Sequence, residues 1–172
     1  MYYIPNKQIL QVVSGGQTGA DVGGLYAALH ENVPTGGYAA ECFKTSEGPK
    51  PELGELFGLI DENLSYQQRT EKNVLLGDGT VLFVTPNKTN SPGSVLTRKL
   101  CAKYRKPIHS TIFILSESES DKDEHAQDII DWLKVYHQIG ILNVAGNREI
   151  DDGQQAIQRY VYDVMRKVLR GI

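Results

Sequence analysis

Runs of apolar, mostly β-branched residues recur along the chain at strand length, and longer segments with helical periodicity separate them. Such runs are typical of strands that are buried on both faces of a parallel sheet. The runs predict strands at residues 9–13, 80–85, 108–115 and 141–145, with a further short strand near Val33.

The segments between these runs place apolar residues on one helical face, as Leu25, Ala28 and Leu29 do in the first of them. The predicted helices are residues 20–31, 66–75, 95–104, 124–137 and 154–169. Strands that alternate with crossover helices predict a single α/β domain of the Rossmann-like, doubly wound type. Its sheet should be mostly parallel, with about five or more strands and with helices on both faces.

Two stretches depart from this alternation. Residues 38–65 are polar and contain several glycines and prolines, so we expect a long polar loop that serves as a functional loop or a lid. Residues 116–125, SESESDKDEH, are acidic, and we expect a solvated loop that leads into the next helix.

The composition narrows the classes of protein. The 172 residues suit one domain, and 40% hydrophobic residues with a formal charge of -3 give no basic excess for contact with long nucleic acid. No apolar run approaches the ~20 residues that span a bilayer, and the first residues do not resemble a secretory leader. We therefore expect a cytoplasmic protein without membrane attachment. The two cysteines and four histidines are dispersed, which predicts neither a disulfide framework nor a metal site.

The first strand is followed by SGGQTGADVGG, with five glycines within ten residues. Glycine in a strand-to-helix turn lets the backbone approach a ligand, and Gln17, Thr18 and Asp21 add hydrogen-bonding groups. In an open α/β sheet, ligands bind outside the carboxyl ends of the strands, where helix N-termini present N–H groups to anions. The glycine spacing is not that of the dinucleotide fingerprint GxGxxG.

Three more turns with glycine follow predicted strands. They are PTGGY at residues 34–38, TPNKTNSPGSVLTRK at 85–99 and AGNRE at 145–149. In a parallel sheet all four turns would lie at one edge, and SPGS before a helix is typical of an anion nest. Glycine also serves in ordinary turns, but its recurrence at one edge favours a binding site for a small anion.

The helix SYQQRTEKNV places Arg69, Lys72 and Asn73 on one face. Arg69 could bind a phosphate with two hydrogen bonds, or it could pair with a carboxylate such as Asp61. Because the chain is negative overall, an anion site must be positive locally. The basic side chains available for this are Lys44, Arg69, Lys88 and Arg148.

Seven motifs follow one another along the chain: SGGQTGAD, PTGGY, EGPKPELGEL, YQQRTEKNV, DGTVLFVT, SPGSVLT and LNVAGNRE. Together they resemble the molybdenum-cofactor carrier family of circularly permuted YpsA-like proteins. This family belongs to the Rossmann-like SLOG superfamily, which includes the lonely-guy phosphoribohydrolases. The resemblance covers nearly the whole chain, from Ile9 to Leu169. It implies a binding protein, commonly a homo-oligomer, whose small phosphorylated ligand is the molybdenum cofactor, a pterin phosphate, or a nucleotide.

The resemblance also implies a set of ligand-binding residues in the four turns and the third helix. They are Ser14, Gly15, Gly16, Gln17, Thr18, Gly19, Asp21, Gly36, Gly37, Arg69, Thr70, Asn73, Ser91, Gly93, Ser94, Thr97, Asn147 and Arg148. Tyr38 follows the second turn, and we expect its ring and the long loop to cover the ring of the ligand.

The chain departs from its relatives at three places. Val22 stands where many relatives carry an arginine, and residues 92–94 read Pro-Gly-Ser where a Gly-Gly-Thr type of turn is usual. Arg98 and Lys99 stand where the phosphoribohydrolases carry acidic residues. This argues against glycosidic hydrolysis at this site.

Three classes of function remain open at this point. The first is a binding protein that carries a cofactor, or that senses or sequesters a nucleotide signal. The second is a nucleotide hydrolase or phosphoribohydrolase that uses Asp21, Glu47 or Glu149 as an acid or base, although Asp21 would also stabilise its helix dipole without a ligand. The third is a regulatory scaffold that binds protein partners, with YVYDV in the last helix as an interface.

Overall fold

A computed structural model describes residues 8–115, 118–149 and 155–172. In chain order the strands are β1 (Gln11–Val13), β2 (Thr35–Gly36), β3 (Tyr38–Ala39), β4 (Lys44–Thr45), β5 (Gly48–Pro49), β6 (Ile60–Asp61), β7 (Gly79–Val84), β8 (Ile108–Ile112) and β9 (Ile141–Gly146). The helices are α1 (Ala20–His30), α2 (Glu52–Phe57), α3 (Tyr66–Leu76), α4 (Pro92–Lys103), α5 (Glu119–Val135) and α6 (Ala156–Arg170).

Five parallel strands form the central sheet in the order β2-β1-β9-β7-β8. The last strand in the chain, β9, lies at the centre and pairs with β1 on one side and with β7 on the other. From there the sheet grows in two directions, from β1 to β2 and from β7 to β8. The predicted doubly wound, parallel α/β fold is confirmed, and all the carboxyl ends of its strands lie at one edge.

Helices cover both faces of the sheet. Helices α1, α5 and α6 pack together on one face, and α3 packs against α4 on the other. Helices α1 and α6 approach closely because Gly23 has no side chain; a Cβ there would lie 2.6 Å from the carbonyl oxygen of Gln158. The main core lies between α1, α5, α6 and the sheet, around Val12, Phe83 and Val144.

Helix α5 begins earlier than the sequence pattern predicts, so part of the acidic stretch is helix and not loop. Ser118 Oγ accepts a 3.3 Å hydrogen bond from the Asp121 N–H, and the Asp121 carboxylate accepts a 2.7 Å bond from the Ser118 N–H. This capping box starts the helix at Glu119 instead of Glu124. Residues 116 and 117 lie outside the described residues, as does Gln154, where the predicted last helix begins.

The segment predicted as a long polar loop, residues 38–65, contains short elements and a small core. It includes α2 and the strand pairs β3–β6 and β4–β5. Leu53, Phe57 and Leu59 are buried here against Val22 and Leu25 of α1. The segment is therefore a packed cover over the start of α1.

No helix among the described residues has both the length and the apolar character that a membrane span needs.

Candidate functional site

A cleft of about 1070 Å3 opens at the carboxyl edge of the sheet. Its walls come from the turns after β1, β7 and β9 and from helices α3 and α4. The lining residues are Gln17, Tyr66, Gln67, Arg69, Thr70, Pro86, Asn87, Lys88, Thr89, Asn90, Ser91, Pro92, Gly93, Val95, Leu96, Lys99, Gly146, Asn147 and Arg148. Three of the four predicted turns thus meet in one cleft, and the turn after β2 does not line it.

The lining of the cleft is basic. Among the described residues the lining includes Arg69, Lys88, Lys99 and Arg148 but no aspartate or glutamate, although the chain as a whole has a formal charge of -3. Arg69 is paired with Asp21. The other three basic residues form no ion pair with any residue that the structure describes. The cleft is therefore positive locally, as an anionic ligand requires.

Asn147 joins two turns of the cleft wall. Its side chain is buried, and its Oδ1 accepts a 2.7 Å hydrogen bond from the Thr85 N–H. Its Nδ2 donates to the Lys88 carbonyl at 3.2 Å and lies within 3.4 Å of the hydroxyls of Ser91 and Ser94. Because both ends of this amide are engaged within the protein, Asn147 fixes the shape of the wall.

The N-terminus of helix α4 opens into the cleft. Ser91 caps the helix, since its Oγ accepts a hydrogen bond from the Ser94 N–H at 3.4 Å. The Gly93 N–H comes before the first hydrogen bond of the helix, and a Cβ added to Gly93 would meet no atom within 4 Å. Open space, an N–H that the helix does not use and the positive end of the helix dipole together favour an anion.

Other parts of the protein occupy the space beside the glycines of the turn after β1. Gly15 lies beneath Arg69, and a Cβ on Gly15 would collide with the Arg69 guanidinium. Arg69 Nη1 donates a 2.7 Å hydrogen bond to the Asp21 carboxylate, which also accepts from the Gln17 N–H at 3.2 Å. The side chains of Arg69 and Asp21 are only 13% and 7% exposed. Gly15 therefore makes room for a buried ion pair between α3 and α1, and the Arg69 partner considered from the sequence, Asp61, is not the one used.

The rest of this turn also packs against protein. Gly19 has a φ of +84°, and a Cβ on it would lie 2.5 Å from the Asn147 carbonyl oxygen, which accepts a 3.1 Å hydrogen bond from the Ala20 N–H. A Cβ on Gly16 would lie 2.6 Å from Leu59 Cδ1. The glycines of this turn therefore allow close packing of protein segments on one another.

The cover formed by residues 38–65 is bonded to the same turn. Gln17 Oε1 accepts hydrogen bonds from the Ser46 N–H at 2.8 Å and from the Thr18 N–H at 3.0 Å. The hydroxyls of Thr18 and Ser46 share a 2.7 Å hydrogen bond. Of residues 14–19, Gln17 lines the cleft.

The binding residues predicted from the sequence fall into two groups. Those that line the cleft are Gln17, Arg69, Thr70, Ser91, Gly93, Asn147 and Arg148. Those outside its lining are Ser14, Gly15, Gly16, Thr18, Gly19, Asp21, Gly36, Gly37, Tyr38, Asn73, Ser94 and Thr97.

Polar side chains of the second group bond within the protein. The buried Ser14 hydroxyl donates a 2.5 Å hydrogen bond to the Val144 carbonyl. Asn73 exchanges hydrogen bonds of 2.8 and 2.9 Å with the backbone of Tyr38, whose ring lies under the ammonium group of Lys72. These residues hold the edge of the sheet together and do not face the open cleft.

The carboxylates considered as an acid or base have structural partners. Asp21 pairs with Arg69, and Glu47, in the turn between β4 and β5, pairs with Lys50 just after β5. The Glu149 carboxylate accepts hydrogen bonds of 2.9 and 3.2 Å from the first N–H groups of α6. None of these three lines the cleft, and no cluster of potential metal ligands occurs among the described residues.

Sequence reasoning missed several lining residues, of which Tyr66 and Gly146 are the clearest. Tyr66 precedes Arg69 and Thr70 by three and four residues on α3, and this helical spacing was a usable signal. Gly146 gave no such signal, because its need for glycine comes from the Phe83 carbonyl, with which a Cβ would collide.

The comparisons with known proteins agree with this architecture. The sequence model of the circularly permutated YpsA SLOG family matches residues 12–169. The crystal structure of a protein from Syntrophus aciditrophicus SB, named as a proposed molybdenum carrier, has a TM-score of 0.79 to this chain. The two chains are 31% identical, and the similarity covers 94% of this chain and 96% of that one. No curated protein matches the chain.

Proposed function

This chain belongs to the circularly permuted YpsA SLOG family, and from that premise we propose that it binds a small phosphorylated, nucleotide-like ligand in the cleft at the carboxyl edge of the sheet. One observation carries the proposal. Among the residues that the structure describes, four basic and no acidic side chains line the cleft, and of the four only Arg69 is in an ion pair, in a chain that is negative overall. Such a separation of charge attracts an anion and is of no use to a neutral ligand.

The phosphate of the ligand is expected at the start of α4. There the Gly93 N–H can donate to a phosphate oxygen, and the positive end of the helix dipole adds to the attraction. Lys88 and Arg148 line the same cleft from the turns after β7 and β9. An arginine can hold a phosphate through two parallel hydrogen bonds, which fixes its orientation.

The ring of the ligand is expected against Tyr66. This side chain is 39% exposed and lines the cleft, whereas Tyr38, expected from the sequence to cover the ring, lies outside the lining. Leu96 offers an apolar contact, and the amides of Asn87 and Asn90 can bond to polar ring edges. The volume of the cleft, about 1070 Å3, is at the upper end for small-molecule sites and suits a nucleotide or a pterin phosphate.

The molybdenum cofactor is the first ligand to test, because the similar crystal structure is of a protein named as a proposed molybdenum carrier. The groups expected to bind the phosphate and the ring suit a pterin phosphate as well as they suit a nucleotide. Carriage, sensing and sequestration of the ligand all require this same step of binding.

Binding is favoured over hydrolysis by the placement of the carboxylates. Cleavage of a glycosidic bond requires an acid or a nucleophile beside the bond. Asp21, Glu47 and Glu149 are all held away from the described lining of the cleft by partners of their own.

Titration calorimetry with AMP, ADP-ribose and molybdenum cofactor tests the proposal. Lys99→Gln removes one positive charge from the cleft, and Lys103→Gln removes the same charge from α4 outside it. We expect the first variant to weaken binding about 10-fold and the second to leave it unchanged. Equal affinity of both variants, or release of free base from a nucleotide in a parallel chromatographic assay, contradicts the proposal.

A further inference from the structure

Strand β8 is an edge of the central sheet with an open ladder. It pairs with β7 and with no other strand that the structure describes. The Pro107 carbonyl and the Phe113 N–H bond to β7, so the odd-numbered residues turn their backbone groups toward that strand. The N–H and C=O groups of Ile108, Ser110 and Ile112 therefore point away from the sheet.

Exposed apolar side chains accompany this open edge. Ile112 is 54% exposed, and Ile114 and Leu115 just after the strand are 55% and 40% exposed. Edge strands usually carry lysine, proline or a bulge that prevents pairing with another chain. β8 reads IHSTI and has no such residue.

The pattern of β8 is complementary to itself. Its sequence has the form Ile-x-Ser-x-Ile, with Ser110 at the centre, and this form is the same when it is read from either end. A second copy that pairs antiparallel about Ser110 would place its Ile108 beside Ile112 on the same face of the sheet. A two-fold axis through Ser110 gives this arrangement, and such symmetry is the commonest in protein dimers.

The charges that flank the strand favour the same direction of pairing. Arg105 and Lys106 precede β8, and the acidic start of α5 at Glu119 and Asp121 follows it. Antiparallel pairing brings the basic flank of one copy toward the acidic flank of the other. A parallel arrangement would place like charges together.

We infer that β8 is a self-association surface, through which two copies of this chain pair antiparallel about Ser110 and join their sheets into one. The inference does not depend on the ligand. The partner that pairs with this edge is a second copy of the chain.

Light scattering coupled to gel filtration tests the surface. The wild-type chain should show about twice its mass of 19.1 kDa at high micromolar concentration. Ile112→Lys should reduce this to the mass of one chain. Val135→Lys is the matched control, because Val135 is 72% exposed on α5 and outside β8, and it should leave the mass unchanged. A wild-type protein that stays monomeric, or a dimer that survives Ile112→Lys, overturns the inference.

Cross-linking tests the register of the pairing. In a background with Cys42→Ser, which removes the exposed native thiol, Ser110→Cys should be cross-linked to itself by a short bis-maleimide. In the unmodified protein, hydrogen exchange of residues 105–115 should slow as concentration rises. A dimer with no cross-link and with exchange independent of concentration would place the interface elsewhere and overturn the inference. Because neither measurement uses Ile112→Lys, both test the inference even if that variant does not fold.

Discussion

Replacing Gly93 with leucine separates ligand binding from folding. Gly93 lies in the first turn of α4 and lines the cleft, and it is not among the glycines with positive φ. A Cβ at this position meets no atom within 4 Å. The Cβ of a leucine therefore needs no movement of its neighbours, and we expect the rest of the side chain to extend into the open space beside the N–H at which we place the phosphate.

The structure gives the expected size of both effects. Leucine is a better helix former than glycine, so the free energy of unfolding should rise or stay within about 1 kcal/mol of wild type, equivalent to at most ~4 °C in melting temperature. A hydrogen bond to a charged group contributes about 1.5–3 kcal/mol, and steric exclusion adds to its loss. We therefore expect affinity for the phosphorylated ligand to fall by at least ~100-fold.

Calorimetry and thermal unfolding of two variants provide the assay. Ala102→Leu is the matched control, because it adds a bulky side chain to an exposed position of the same helix outside the cleft. The control should bind the ligand like wild type. If Gly93→Leu keeps wild-type affinity while folded, or if it unfolds, the reasoning about this position is refuted.

Three further predictions concern the ion pairs and helix caps that stabilise the fold. Gly15→Ala should displace Arg69 from Asp21. Because this ion pair is buried, the free energy of unfolding should fall by about 3 kcal/mol. A denaturation midpoint equal to that of the wild type would contradict this. Glu149→Gln should cost about 1 kcal/mol by weakening the cap of α6, with faster hydrogen exchange confined to the first turn of that helix as the check. Burial opposes ionisation of Glu31, but hydrogen bonds from two arginines of α6 outweigh it and lower its pKa. The contribution of Glu31 to stability is therefore complete above the ordinary pKa near 4.5 and is lost as pH falls through the lowered value. Glu31→Gln should therefore reduce the loss of the free energy of unfolding at acid pH. The same acid dependence in the variant and the wild type would contradict this.

The fold could be predicted from the sequence because the strands at the centre of its sheet are largely buried. Apolar runs such as those of β7, buried at every position, and β9, buried at its middle positions, are typical of central parallel strands and predicted the sheet clearly. The start of α5 was missed because a Ser118–Asp121 capping box in an acidic stretch looks like a solvated loop until its hydrogen bonds are seen. The elements of residues 38–65 were missed because two-residue strands carry no periodic pattern.

The candidate site was predicted less completely, for a reason that Gly15 illustrates. A glycine shows that a side chain is not tolerated, but the sequence does not show what occupies the space. At Gly15 the occupant is Arg69, a residue on another helix. At Gly93 the space is open. Only the three-dimensional arrangement separates a glycine that accommodates protein from a glycine that borders an open cleft.

The central claim is that the cleft holds a phosphorylated ligand, and a crystal structure with the tightest ligand found by calorimetry tests it most directly. The account predicts a phosphate oxygen at about 3 Å from the Gly93 nitrogen, Arg148 directed at the same phosphate, and the ring of the ligand against Tyr66. Ligand density on another surface, with the cleft empty, would contradict it.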